Sequence, residues 1–93
     1  MRYEWDEAKN RSNIAKHGLD FSDAAIVFAG PCVTFVDNRF EYGEKRLLSL
    51  GTLAGRVVVI AHTPRRPDVT RIISMIKANR REQKIYQKRR EET

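Results

Sequence analysis

The stretch from Arg56 to Met75, RVVVIAHTPRRPDVTRIISM, decides the fold. Val57 to Ala61 is an unbroken apolar run rich in β-branched residues, the pattern of a strand buried on both faces. Val69 to Met75 reads as a second strand. The segment between them, Pro64-Arg65-Arg66-Pro67-Asp68, breaks the pattern, so the two runs predict an antiparallel hairpin with a connection that is not tight. Its polar residues are concentrated. His62, Thr63, Arg65 and Arg66 fall at the turn end, and Arg71 and Ser74 fall on the return strand. A hydrophobic hairpin thus carries a cluster of cations and hydroxyls, and the rest of the chain reads as its support.

Working outward, Arg2 to Trp5 alternates polar and aromatic residues and fits a short edge strand. Asp6 can cap a helix from about Glu7 to His17, with a weak apolar stripe of Ala8, Arg11, Ile14 and Ala15; Gly18 supplies its left-handed stop. Lys16 and His17 lie in its last turn, where cations suit the helix dipole and also reach outward. Asp20 or Ser22 can cap a second helix from Asp23 to about Ala29, ended by Gly30-Pro31. Strands follow at Cys32–Val36 and Lys45–Leu50, the latter with Arg46, Leu48 and Leu50 on one face, and a polar turn lies between them. After Met75 a basic helix is expected from Lys77 to Lys88, with Lys77, Arg80, Arg81, Lys84 and Lys88 on one face. Its apolar contacts, Met75, Ala78 and Ile85, predict weak docking, and Lys88 to Thr93 should fray. The order β, α, α, β, β, β, β, α gives an α+β class: a mostly antiparallel twisted sheet of about four strands, two N-terminal helices on one face and a C-terminal basic helix.

A chain of 93 residues, 41% hydrophobic, predicts one domain, 1–93, with a small core of its own. No apolar run is long enough to span a membrane, and the charged first twenty residues do not resemble a secretory signal. The one cysteine, Cys32, cannot make an internal disulfide and reads as a buried inert thiol, which fits a reducing cytoplasm. The net charge of +6 is unevenly placed: residues 1–64 carry eight basic and eight acidic side chains, and residues 65–93 carry ten and four. A neutral body with a cationic last third has the footprint of a polyanion binder.

One cysteine and two distant histidines match no metal pattern, and the scattered glycines form no phosphate loop. Chemistry on phosphate without a metal or cofactor is what remains. RNA can cleave through attack of its 2′-hydroxyl on the adjacent phosphate. A protein accelerates this by taking the 2′-proton, neutralising the phosphorane and protonating the leaving oxygen. Arginine matches phosphate oxygens bidentately, which makes Arg46, Arg65, Arg66, Arg71 and Arg80 candidates. His62 can exchange protons, Glu44 can act as a base, and Tyr86 as an acid or stacking platform. The bland alternative pairs Glu44 with an arginine and packs Tyr86 between helix and sheet.

The residues Tyr3-Glu4-Trp5-Asp6, Lys9, Asn13, Lys16-His17-Gly18, Phe21, Ala24 and Val27-Phe28, then Glu44-Lys45-Arg46 and Gly51, then Val58-Val59, Thr63, Arg71-Ile72-Ile73-Ser74, Glu82 and Tyr86 form an ordered pattern along nearly the whole chain. This pattern resembles the BrnT family, small toxins of type II toxin–antitoxin systems. The resemblance implies a RelE-like fold, a ribonuclease that halts translation, and inhibition by a BrnA-like antitoxin that also binds DNA. Two positions depart from the family pattern. Met75-Ile76 stand where Ala-Arg usually follows the RIIS run, with Lys77 or Arg80 as substitutes for that arginine, and His62 stands where an aromatic or small apolar residue is usual.

Catalysis is accordingly expected from Arg71, Arg66, His62, Glu44 and Tyr86, and RNA binding from Lys16, His17, Arg46, Arg65, Ser74, Lys77, Arg80, Arg81 and Lys84. The rival readings are a non-catalytic RNA- or DNA-binding module and a structural partner of a repressor. The antitoxin is expected to place an acidic or amphipathic segment near Arg66, Arg71 and the last helix. Nearby arginines should lower the pKa of His62 and keep it neutral.

Overall fold

The computed structural model describes residues 1–92. Five strands build one sheet: β1 (Arg2–Glu4), β2 (Val33–Val36), β3 (Leu47–Leu53), β4 (Arg56–Arg66) and β5 (Val69–Lys77). Their order across the sheet is β1-β5-β4-β3-β2. Every neighbouring pair is antiparallel except β1 with β5, which run parallel. The expected sheet of about four antiparallel strands is thus extended by a fifth, parallel one. Among the described residues, no helix is long and apolar enough to cross a membrane.

The central hairpin is longer and tighter than the sequence suggests. β4 continues through Pro64 to Arg66 and turns at Pro67-Asp68, so Arg66 pairs with Val69 and Pro64 with Thr70. β3 begins opposite His62, which leaves the outer part of β4 without a neighbour on that side. Proline tolerates such edge positions because its missing N–H costs no ladder bond there. Register shifts lie between Ala61 and His62 and between Pro64 and Arg66.

α1 (Glu7–His17) begins at Asp6, whose side chain accepts from the Lys9 N–H at 3.1 Å, and stops at Gly18 with φ 69°. Its inward face is built from amides, not from an apolar stripe: Asn10 and Asn13 are its buried residues. Asn13 Nδ2 donates to the carbonyls of Met75 (2.8 Å) and Leu19 (3.0 Å), while its Oδ1 accepts from the Met75 N–H (3.2 Å). One side chain thereby satisfies both main-chain groups of Met75, beyond the reach of the three-residue β1. Asn10 accepts from the Phe21 N–H and donates to Asp20, tying the segment after α1 to the helix. Asp20 caps a short 3-10 turn, Phe21–Asp23, which runs into α2 (Ala24–Ala29).

The sheet separates two apolar clusters. On the first face Leu19, Phe21, Ala24 and Val27 pack on Val58, Ile60, Ile72 and Met75. Gly51 allows this approach: a Cβ there would lie 2.6 Å from Val27 Cγ1 and 3.1 Å from Cys32 Sγ. The Cys32 thiol, half-buried, contacts the Val27 carbonyl, and burial raises its pKa.

On the second face α3 (Arg80–Glu91) contacts β2 and β3. The helix starts later than expected, at a capping box in which Asn79 and Glu82 satisfy each other's N–H groups. Lys77 belongs to β5 and Met75 to the opposite face. Docking comes from Ala78, Ile85 and especially the buried Tyr86, whose hydroxyl donates to the Pro31 carbonyl at 3.0 Å. The helix continues past Lys88 to Glu91, and Thr93 lies outside the described residues.

Candidate functional site

Strand register sorts the polar residues into two groups. Residues 58, 60 and 62 of β4 face α1 and α2, whereas 59, 61 and 63 face the α3 side. Successive pairs line up across the second face in rows. Val33, Leu50, Val59 and Ile76 form one, Phe35, Leu48, Ala61 and Ser74 the next. The outermost row is polar, with Thr63 opposite Arg71, and Arg71 in turn beside Glu4 of β1. Arg46 and Asp37 extend this row toward β2, joined by the Asp37 N–H donating to the Arg46 carbonyl at 2.8 Å. α3 covers the β2–β3 side; at β4 Thr63 is buried, and the row reaches solvent at Arg71 of β5 and Glu4 of β1.

Glu4 holds the cations at the open end. Its carboxylate accepts from Arg71 Nη1 at 3.0 Å and lies 3.9 Å from Arg66 Nη2. Arg71 and Glu4 are about one-third exposed, so both stay reachable from solvent. Arg65 and Arg66 sit exposed at the hairpin tip, and Ser74 lies one row inward from Arg71. The Thr63 hydroxyl is occupied by the Lys45 carbonyl at 2.5 Å.

The loop between β2 and β3 flanks the row. Asp37, buried, binds Arg39 bidentately at 2.8 and 2.9 Å and accepts from the Tyr42 hydroxyl at 3.0 Å. The Arg39 guanidinium first, with Tyr42, holds the Asp37 carboxyl down to about 2. Arg46 lies 4.1 Å over the Tyr42 ring and pairs with Glu44 at 3.2 Å. Phe40 packs edge-on to Tyr42 and is 69% exposed. Between this loop and α3 lies a cleft of about 360 Å³ with Phe35, Leu48, Leu50, Val59 and Ile85 as floor and Arg39 and Arg81 as rims. Arg80, Arg81, Lys84 and Lys88 line the outer surface of the helix. Among the described residues no ion pair involves these four.

His62 lies apart from these groups. It points to the α2 side, buried, with Nε2 2.7 Å from the Ser49 hydroxyl, itself 2.8 Å from Thr34. Phe28 stands edge-on to the imidazole at 5.0 Å and stacks on Tyr3 at 5.5 Å. Burial pushes the imidazole down to about 4. The direction matches the sequence reading and the cause differs: desolvation, not neighbouring arginines, disfavours the charged form. Lys16 and His17 end α1 next to Gly18, which shares a cleft with Lys77 and Arg56 at the opposite end of the sheet from the hairpin tip. The residues named from sequence are therefore divided. Arg46, Arg65, Arg66, Arg71 and Ser74 gather on or beside the polar row, whereas Arg80, Arg81 and Lys84 lie on α3, with Arg81 beside the cleft it shares with Arg39. Lys16, His17 and Lys77 lie remote, Glu44 is paired with an arginine, and Tyr86 is packed between helix and sheet.

Glu4, beside Arg71 and Arg66, is not among the residues that the sequence singles out for the site; its place in the Tyr3-Glu4-Trp5-Asp6 run is the available signal. Where the family pattern places an arginine, Ile76 instead packs with Val57, Val59 and Ile85. Lys77 pairs with Val58 and faces away, so it does not replace that arginine. Among the described residues no three His, Cys, Asp or Glu side chains group to hold a metal ion.

Three comparisons with known proteins bear on this arrangement. Residues 5–82 match the family model for the ribonuclease toxin BrnT of type II toxin–antitoxin systems. The fold is similar to the crystal structure of the Brucella abortus ribonuclease toxin BrnT, with TM-score 0.64 and 30% identity over 86% of this chain and 99% of that one. No curated protein matches the chain.

Proposed function

The chain belongs to the BrnT family of ribonuclease toxins of type II toxin–antitoxin systems, and from that premise we propose that it is a metal-independent endoribonuclease working on the open face of the sheet. The observation that carries this reading is the polar row Glu4–Arg71–Thr63–Arg46, solvent-accessible at its Glu4–Arg71 end and bordered there by Arg66, on the same side of the sheet as the basic helix α3. Arg71 binds the scissile phosphate and neutralises the charge that grows on it, which needs no metal. Arg46, Arg65, Arg66, Ser74 and the cations of α3 hold the flanking backbone. Cleavage of messages in the cytoplasm would then arrest translation. We assign the single toxin domain to the RelE-like class, supported by the mostly antiparallel sheet with helices on both faces.

A type II toxin family implies an antitoxin partner. On this reading it is BrnA-like, binds DNA itself, and lays an acidic or amphipathic segment over Arg66, Arg71 and α3. A cognate complex whose interface avoids residues 62–88 would contradict that placement.

One observation favours the rival reading of a non-catalytic RNA-binding module: Ile76 stands in the apolar cluster where the family pattern has an arginine. Incubating folded protein with RNA in EDTA separates the two. The proposal predicts fragments ending in 2′,3′-cyclic phosphate and 5′-hydroxyl; intact RNA bound to folded protein would support the module.

A further inference from the structure

We propose that Glu4 is the general base that removes the 2′-proton, an inference that rests on the ribonuclease reading above. A base for this reaction must be a carboxylate or neutral imidazole, exposed to substrate, and within a few ångströms of the group that binds the phosphate. His62 fails on two counts, being buried and on the other face of the sheet from Arg71. Asp37 is buried and committed to Arg39 and Tyr42. Glu44, in the loop before β3, pairs with Arg46 and makes no ion pair with Arg71. Glu4 meets all the requirements. It stands next to Arg71 in the parallel β1–β5 pair, on the same face, with one oxygen 3.0 Å from Arg71 Nη1 and the other toward Arg66.

The spacing suits the chemistry. In a nucleotide the 2′-hydroxyl and the 3′-phosphate are neighbours, so the base and the phosphate cation must be neighbours too. Neighbouring strands place Glu4 and Arg71 about 4.8 Å apart at the backbone, and their side chains meet above it. With a phosphate on Arg71 and Arg66, the Glu4 carboxylate is displaced onto the adjacent 2′-hydroxyl. The 2′-O–H proton passes to the carboxylate, the 2′-oxygen bonds to phosphorus, and the P–O5′ bond breaks. The leaving 5′-oxygen takes a proton from water, giving a 2′,3′-cyclic phosphate and a 5′-hydroxyl. The charged groups that bear on Glu4 are Arg71 of β5 and Arg66 of β4, and the charge of Arg71 is also felt by the α1 N-cap Asp6.

Glu4→Gln keeps an acceptor for Arg71 and removes the base. It should retain RNA affinity and lose about 10²–10⁴-fold in single-turnover cleavage rate. Cleavage at the wild-type rate would overturn the assignment. A second variant guards against a purely positional role. In Glu4→Ala, added formate or acetate should restore cleavage, and acetate, the stronger base, should restore more. Rescue that is absent or independent of carboxylate basicity would overturn the base role and leave Glu4 as a residue that positions Arg71. A wild-type protein that binds RNA without cutting it would overturn the ribonuclease reading and this proposal with it, whereas a cutting wild type with an equally active Glu4→Gln would overturn this proposal alone.

Discussion

The two faces of the sheet use polar residues in opposite ways. Under α1 and α2, Asn13, Asn10, Ser49 and His62 are buried, uncharged and hydrogen-bonded inside the protein. On the α3 side, Arg71, Arg66 and Arg46 are charged, reach solvent, and lean on partly exposed carboxylates that a phosphate can replace. The first arrangement stabilises the fold because losing a buried partner strands a desolvated group. The second adds little stability, since exposed ion pairs contribute about 0–1 kcal/mol. Its cations therefore remain available to a ligand. Hydrogen-bonded polar groups on one face and exchangeable charges on the other divide the molecule into a scaffold face and the proposed working surface.

The sharpest way to break this division is at Asn13. Asn13→Ala should strand the N–H and carbonyl of Met75 in the core and cost about 3 kcal/mol or more, read from urea denaturation. A loss below about 1 kcal/mol would show that water or a shifted β1 can replace the amide.

Acid tests the same face. The fold holds His62 near 4, below the ordinary 6.5, so it favours the neutral ring. Its contribution is complete above pH about 6.5 and is lost as pH falls toward 4, a decline of up to about 3 kcal/mol. Stability measured against pH should show that decline, and His62→Gln should flatten it. The same decline in His62→Gln would assign it to other groups.

Gly51→Ala sharpens the packing between α2 and β3. The added methyl meets Val27 at 2.6 Å and should destabilise by about 1–3 kcal/mol. An unchanged thermal midpoint would mean that α2 shifts freely. The smallest effect is expected at Tyr86. Losing the hydroxyl in Tyr86→Phe removes the bond to Pro31 and should cost about 1 kcal/mol. A large fall in cleavage rate at unchanged stability would instead return Tyr86 to the chemistry.

The contrast between faces also explains what the sequence could and could not show. Local signals were legible: Asp6 and Gly18 bound α1, and alternation places Leu48 and Leu50 on one face of β3. Asn10 and Asn13 were not, because a helix face built of amides has no apolar periodicity and their partners lie far along the chain. The separation of His62 from Arg71 was hidden for a related reason. Proximity in the hairpin suggested one cluster, but side-chain direction depends on the register shift at Ala61/His62, which leaves no mark in composition. Tyr86 packs between α3 and the sheet and Glu44 pairs with Arg46, whereas the contact of Glu4 with Arg71 depends on β1 lying beside β5. Alternation over Arg2–Trp5 marks a short edge strand, but its parallel pairing with β5, across the length of the chain, has no local signature.

The claim that the α3-side row is the working surface is tested most directly at Arg71, by the single-turnover rate of RNA cleavage in EDTA for Arg71→Ala and Arg71→Lys beside the wild type. A bidentate phosphate contact predicts a fall of about 10²–10³-fold in Arg71→Ala and little rescue by lysine, with the fold intact. A fully active Arg71→Ala would contradict the account and move the chemistry off this face.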